Sequence, residues 1–150
     1  MTSIIVPKKL EKEALKVYDK VVNINFVEGT RTNFDNKKKC YFKDLELMEK
    51  KDSFHYRRGG LNQILCRLAA RQGKIVFFNL NLLKESKGFS REVIIGRMKQ
   101  NIWLCRKFKV QMNAGFFPSS KEEIKNPEDV KGLLIVLGMT ALEAKNALEF

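Results

Sequence analysis

Apolar and polar positions along this 150-residue chain alternate between two periods, with short β-branched or aromatic runs separated by stretches of helical spacing. Ser3–Val6 (SIIV) reads as a short strand, and Leu10, Ala14, Leu15 and Tyr18 then share one helical face. VVNINFV (21–27) reads as a second strand. Gly29 and Asn33–Asn36 read as a turn region, and DLELM (44–48) as a further strand. Gly59-Gly60 breaks the chain ahead of LNQILCRLAARQ (61–72), where Leu61, Ile64, Leu65 and Leu68 predict an apolar helical stripe. Gly73 stands where the C-cap of that helix should fall. KIVFFNL (74–80) is apolar enough to be buried on both faces, as strands of a parallel sheet are. Beyond a loop over 81–89, Ser90 is placed to cap a long helix through Lys107, with Glu92 in its first turn. FKVQMNA (108–114) is the next strand. Ser119 and Ser120, each with Glu three residues on, predict a short helix. Asn126-Pro127 opens another that Gly138 ends, and Thr140 with Glu143 forms a capping box for a terminal helix.

About five strands alternating with helices predict an α/β protein whose strands are mostly parallel. A complete eight-fold barrel takes about 250 residues, roughly 200 at the least. A chain of 150 residues, read as one domain over 1–150, can hold only part of one. No apolar run approaches the ~18 residues of a membrane span, and the N-terminus has no signal-peptide pattern. Cys40, Cys66 and Cys105 are odd in number and widely spaced, which excludes a disulfide framework and a zinc motif and points to a reducing, cytoplasmic setting.

Charge changes the picture more than composition does. The net charge is +12, unevenly spread: residues 1–60 carry net +5, 61–110 carry +9 and 111–150 carry −2. A positive field of that kind concentrates polyanions, of which nucleic acid is the commonest in a cell; no basic amphipathic segment offers the apolar face a membrane surface needs. On the long helix, Ile94, Ile95, Met98, Ile102 and Cys105 cluster on one face, while Lys99, Trp103 and Arg106 lie opposite with Lys107 nearby. Trp103 either packs on a neighbouring helix or, set between cations, stacks on a base while the cations meet phosphates. Arg97 and Asn101 border the apolar face, and Arg91 leaves the core at the helix N-terminus, the end that faces ligands in a βα unit. On the preceding helix, Arg67, Arg71 and Lys74 line the polar side. Arg57-Arg58 stands just before a helix start, where backbone N–H groups add to an anion site, and Asn62 serves there as a local cap or a phosphate contact. Catalytic patterns are missing: the chain has no GxSxG, HExxH, GxxxxGK[ST] or GxGxxG. His55, the one histidine, reads as a surface residue, and Glu85 and Glu92 are the only acidic residues between 53 and 121, too few for a two-metal nuclease site.

Four motifs in order carry a family resemblance. They are Arg58-Gly-Gly-Leu-Asn62, RLAARQGKIVFFNL, the run from Arg91 through Ile95-Gly-Arg97 and Asn101 to LCRKFKV, and Asn126-Pro127-Glu-Asp129 followed by LGMTALEAKNAL. Together they resemble the thirty-kilodalton protein subunit of archaeal and eukaryotic ribonuclease P, over about residues 56–149 and more weakly over 3–55. The resemblance implies a TIM-barrel-like protein that binds the ribonuclease P RNA and a small α/β protein subunit. The complex removes the 5′ leader of precursor tRNA, and the RNA, with Mg²⁺, supplies the catalysis. By position, Arg91, Arg97, Asn101 and Arg106 match the family's basic helix, and Arg58, Gly60, Leu61 and Asn62 its turn. Departures are Gly59 in place of Ser or Thr, Phe34 for Arg, the segment Phe117–Ser119, and Glu128 for Arg. The family's first two βα units have no counterpart, so the expectation is a partial, N-terminally truncated barrel beginning at the third strand. Such a barrel would leave the strand at 3–6 unpaired, inviting self-association or a chain that supplies the missing units, unless residues 7–20 fold over the gap. The competing reading is a metal-dependent phosphoesterase of the polymerase-and-histidinol-phosphatase barrel type, which needs clustered His and carboxylates.

Overall fold

Strand β1 (Ser3–Ile4) opens the chain, and a computed structural model describes residues 1–150 from there on. A turn of 3₁₀ helix over Lys8–Leu10 runs into α1 (Glu11–Ala14), and β2 (Lys20–Val21) returns parallel to β1. Leu10, Ala14 and Tyr18 bury against Ile4 and Val6, which is why their spacing reads as helical. No helix follows β2. The chain stays outside regular structure for four residues and enters β3 (Phe26–Val27), which belongs to a second sheet. The VVNINFV stretch is thus two short strands shared between two sheets rather than one.

A helix, α2 (Arg31–Asp35), replaces the turn expected near Asn33. Thr30 caps it by accepting from Asn33 N–H at 3.3 Å, and Phe34 is driven inside to stack on Phe42, ring centroids 4.0 Å apart. The next strand is β4 (Tyr41–Phe42), not DLELM; Asp44 takes a left-handed φ of 59°, and Leu45–Leu47 form a 3₁₀ turn. Helix α3 (Gln63–Gln72) starts at Asn62, whose Oδ1 accepts from Leu65 N–H at 2.9 Å, and stops at Gly73, φ 64°. Its buried stripe centres on Cys66 and Ala69, with Leu65 and Leu68 beside it, and leaves Ile64 exposed.

Strand β5 (Ile75–Asn79) is buried along its whole length, as its composition predicts. Helix α4 (Asn81–Glu85) leads to α5 (Gly88–Phe108), which begins ahead of Ser90 with no side-chain cap and ends at Lys109, φ 57°. Then come β6 (Gln111–Gly115), a 3₁₀ turn at Lys121–Glu123, α6 (Pro127–Val136) capped by Asn126, and α7 (Ala141–Ala147) with the Thr140–Glu143 capping box in place.

All strand pairs are parallel, and β3, β4, β5 and β6 lie side by side in chain order. Strand order without reversal puts every crossover on the same side, which curls a sheet toward a barrel instead of the two-sided doubly wound form. The fold is α/β, mostly parallel and partially TIM-barrel-like. Phe42, Val76, Phe78 and Ala114 face the helices, where they meet Cys66, Met98, Ile102, Leu134 and Ala144 in the main core. Phe77 points the other way and meets Phe26, Phe117 and Phe150 edge-on or tilted, centroids 5.2–5.5 Å apart.

The first strand is not a free edge, contrary to expectation. On the side away from β2, Ser3 N–H donates to Leu148 O at 2.7 Å and Ser3 Oγ–H to Phe150 O at 2.6 Å. Residues 148–150 occupy that edge, and the Phe150 ring fills the space inside it. The expected drive to self-associate through β1 loses its basis. No helix is long and apolar enough to cross a membrane.

Candidate nucleic-acid interface

Helix α5 supplies the frame of the site. Ile94, Met98, Ile102 and Cys105 are buried as their period predicts. Between Val93 and Lys109 it carries no acidic residue, so the field of its cations is not offset from within. On its outer face Trp103 stands 53% exposed, and the Lys107 ammonium lies 4.9 Å from the Trp103 ring centroid and 5.6 Å from that of Phe108. From α3, the Arg67 guanidinium approaches the same Phe108 ring at 5.5 Å. Cations of the two helices, Arg67 and Lys107, therefore share the Phe108 ring, a geometry that cation–π attraction stabilises.

A loop from Asp44 to Asn62 lies across the first half of α5. Arg97 is 3% exposed and fastens it: Nε donates to Asp52 Oδ1 at 2.9 Å, and Nη1 to Glu46 O at 2.8 Å and Glu49 O at 2.6 Å. Asn101, fully buried, donates to Gly59 O at 2.7 Å and Glu46 Oε1 at 3.3 Å. Asp52 also accepts from Arg58 N–H at 2.8 Å. Loss of water pushes the Asp52 carboxyl up, but hydrogen bonds from Arg58 N–H and Arg97 outweigh this and hold it below the usual range. Burial dominates at Glu46, whose carboxyl is pushed up to about 7.

The fastened loop presents its far end to solvent. Arg57 lies over Gly96, where any Cβ would collide with its guanidinium, and Gln100 Nε2 donates to Arg57 O at 2.7 Å. Arg58 reaches Ser53 Oγ at 2.9 Å and Glu49 at 3.6 Å and stays partly exposed. Tyr56, Arg57, Arg58 and Asn62 line an open groove of about 460 Å³. Phe54 is 97% exposed, with His55 edge-on to it at 4.9 Å.

Four candidate residues are not where the sequence places them. Arg97 and Asn101 are interior, because the loop covers the face they border. Arg106 is drawn to α7, with two bonds to the Glu143 carboxylate at 2.8 and 2.6 Å and one to Gly138 O at 2.6 Å. Lys74 is buried; its ammonium donates to Asn36 Oδ1 at 2.9 Å and Lys38 O at 2.7 Å. Asn62 has its Oδ1 committed as the α3 cap. Exposed at the surface are Arg57 and Arg58 from the loop, Arg67 and Arg71 from α3, and Lys99 and Lys107 from α5; of these, Arg67 and Lys107 meet at the Phe108 ring and Arg57 meets α5 at Gly96. Arg91 is also exposed, on the first turn of α5, with Nε donating to Ser86 O at 2.8 Å. Phe54 and Tyr56 escape the sequence reading although a signal exists, the interleaving of aromatic and basic residues in SFHYRR. No group of three His, Cys, Asp or Glu side chains is placed to hold a metal ion.

Fold and surface together define a class: a parallel α/β, barrel-related protein with a basic, aromatic-bearing helix face. No family model matches the chain. Among curated proteins it is similar to ribonuclease P protein component 3 of Thermococcus kodakarensis, 30% identical over 91 residues, covering 61% of this chain and 41% of the relative. The protein of the same name from Methanosarcina acetivorans is 30% identical over 92 residues, 61% of this chain and 38% of the relative. That of Methanococcus vannielii is 24% identical over 135 residues, 90% of this chain and 57% of the relative. The chain spans about half or less of the length of these relatives. A chain in a cryo-EM structure of archaeal ribonuclease P with mature tRNA shares the fold, with a TM-score of 0.70 at 23% identity, covering 98% of this chain and 63% of that one.

Proposed function

We propose that this protein is an RNA-binding protein subunit of a ribonuclease P ribonucleoprotein. It holds the folded RNA subunit, whose own chemistry, with Mg²⁺, removes the 5′ leader from precursor tRNA. The observation that carries the reading is the outer face of α5, where Lys107 lies over Trp103 and Phe108, Arg67 meets the same Phe108 ring, Lys99 is exposed one turn earlier and Arg57 sits over Gly96, with no carboxylate on the helix from Val93 on. Cations there meet phosphates, which supply most of the affinity, and the aromatic groups meet bases. Similarity to ribonuclease P protein component 3 supports the choice of complex. The reading includes a small α/β protein subunit as a second partner, with precursor tRNA reached through the assembly.

The phosphoesterase alternative finds no supporting group, since His55 packs edge-on against Phe54 and no carboxylate cluster accompanies it. Reconstitution tests the proposal. The purified chain alone, with Mg²⁺ or Mn²⁺, should leave precursor tRNA intact, and its addition to ribonuclease P RNA with the remaining protein subunits should raise 5′ cleavage. Cleavage by the chain alone, lost in His55→Ala, would turn the assignment toward the phosphoesterase.

A further inference from the structure

Arg57, Lys99, Trp103 and Lys107 form one ridge. Arg57 sits over Gly96, and Lys99, Trp103 and Lys107 follow at intervals of three or four residues, the spacing that stacks side chains on one face of a helix. At about 1.5 Å per residue, the ridge from Gly96 to Lys107 is roughly 16 Å long. Its centre is an indole more than half exposed, a flat aromatic surface that a partner can cover. Charge decides the kind of cover. The Lys107 ammonium lies over the ring, Lys99 stands about one turn before it and Arg57 about two turns before, the nearest carboxylate on α5 is Glu92 in its first turn, and Arg67 adds a fourth cation across Phe108. An acidic peptide would satisfy the cations but leave the ring without a flat partner. Duplex RNA would satisfy the cations, but its bases are already stacked. A single strand meets both demands, with phosphates for the cations and an unpaired base for the indole.

We propose that this ridge binds a single-stranded RNA segment with one base stacked on Trp103. The inference rests on the RNA-binding reading above and adds which form of RNA the ridge takes. In the free protein the Lys107 ammonium lies over the indole. An arriving base takes its place on the ring, and the displaced ammonium moves to the phosphate beside that base. Arg57 and Lys99, up to a turn or two away, meet phosphates on the same strand. The face is sequence-tolerant, because every base has a flat π surface and nothing on the ridge is buried and aimed to read a base edge.

Trp103 is the only tryptophan in the chain, so intrinsic fluorescence reports on this ring alone. The full-length protein is titrated with a ten-nucleotide oligoadenylate, with a ten-base-pair RNA duplex and with polyphosphate, while anisotropy of labelled RNA measures binding independently. Oligoadenylate is expected to quench the emission strongly, and the duplex and polyphosphate to bind with little quenching. Trp103→Ala should weaken oligoadenylate about tenfold, and Trp103→Phe by less, with unfolding midpoints unchanged because the side chain is exposed. Oligoadenylate binding without quenching, at wild-type affinity in Trp103→Ala, would overturn the stacking. Equal quenching by the duplex would overturn it too, as would an emission change with protein concentration alone accompanied by dimer in light scattering. Absence of any RNA binding by anisotropy at low salt would instead remove the RNA-binding reading on which the inference stands.

Discussion

Glu46 is the residue whose burial has the clearest measurable consequence. Its carboxyl is fully buried and its pKa stands at about 7, against an ordinary value of 4.5. A raised carboxyl favours folding while it keeps its proton and loses that advantage when it must ionise inside. The contribution is therefore fully present below about pH 4.5 and lost as the pH rises through 7. A shift of that size corresponds to roughly 3 kcal/mol. We predict that wild-type stability measured by urea unfolding falls between pH 5 and 8 and that Glu46→Gln removes much of this fall. The variant should be the more stable protein at pH 8. A parallel decline in both proteins would show that Glu46 ionises freely. Arg97 is the complementary case. Truncating it takes one partner from Asp52, which keeps Arg58 N–H and Arg57, and removes the donor to two loop carbonyls; a hydrogen bond to a charged group is worth about 1.5–3 kcal/mol. In the proposed RNA-binding role, Arg97 acts by fixing the loop that carries Arg57 and Arg58.

At the scale of elements, the contact between loop and α5 gives a prediction in which stability and binding separate. Gly96 is in the middle of a helix, where Ala is better by about 1 kcal/mol. Its Cβ would strike the Arg57 guanidinium, the far end of a flexible and half-exposed side chain that can swing away. The Arg57–Asp52 pair it gives up is partly exposed, at 3.6 Å, and worth about 0–1 kcal/mol. Gly96→Ala should accordingly leave thermal stability equal or slightly higher while weakening RNA binding several-fold. Lower stability together with unchanged binding would contradict this placement of Arg57. The same element shows what a sequence can and cannot reveal. The buried stripe Ile94, Met98, Ile102 and Cys105 is legible because helical period depends only on neighbours along the chain. Arg97 and Asn101 are not, since what covers them is a loop about 40–50 residues earlier. Lys74 misleads for a related reason: its flexible stem lets the charge reach carbonyl and amide oxygens of the α2–β4 segment while the residue itself opens a buried strand. β4 goes unseen because two residues after a lysine run carry too little pattern to read.

For the whole molecule, a two-stranded and a four-stranded parallel sheet, each in chain order, give a partial barrel whose first strand is bonded to the last three residues. The alternation of strands and helices made the parallel α/β class legible from the sequence. The sealing of β1 was not, because Ser3 and Leu148–Phe150 meet only through the completed fold. Charge is partitioned in the same architecture: the segment containing α3 and α5 carries +9, and the segment containing α6 and α7 carries −2. Arg106 is taken up by Glu143 at the junction between the two and Arg57 faces Asp52, so Lys99 and Lys107 are the cations of the ridge without a carboxylate partner. The central claim, that this ridge and its loop are the RNA interface, is tested most directly by the salt dependence of RNA binding. Each phosphate neutralised contributes about −0.7 to the log–log slope on a single strand and about −0.9 on a duplex. The folded triple variant Arg57→Gln, Lys99→Gln, Lys107→Gln should bind more weakly with a slope shallower by about 2 to 3, whereas a wild-type slope and affinity in that variant would place the interface elsewhere.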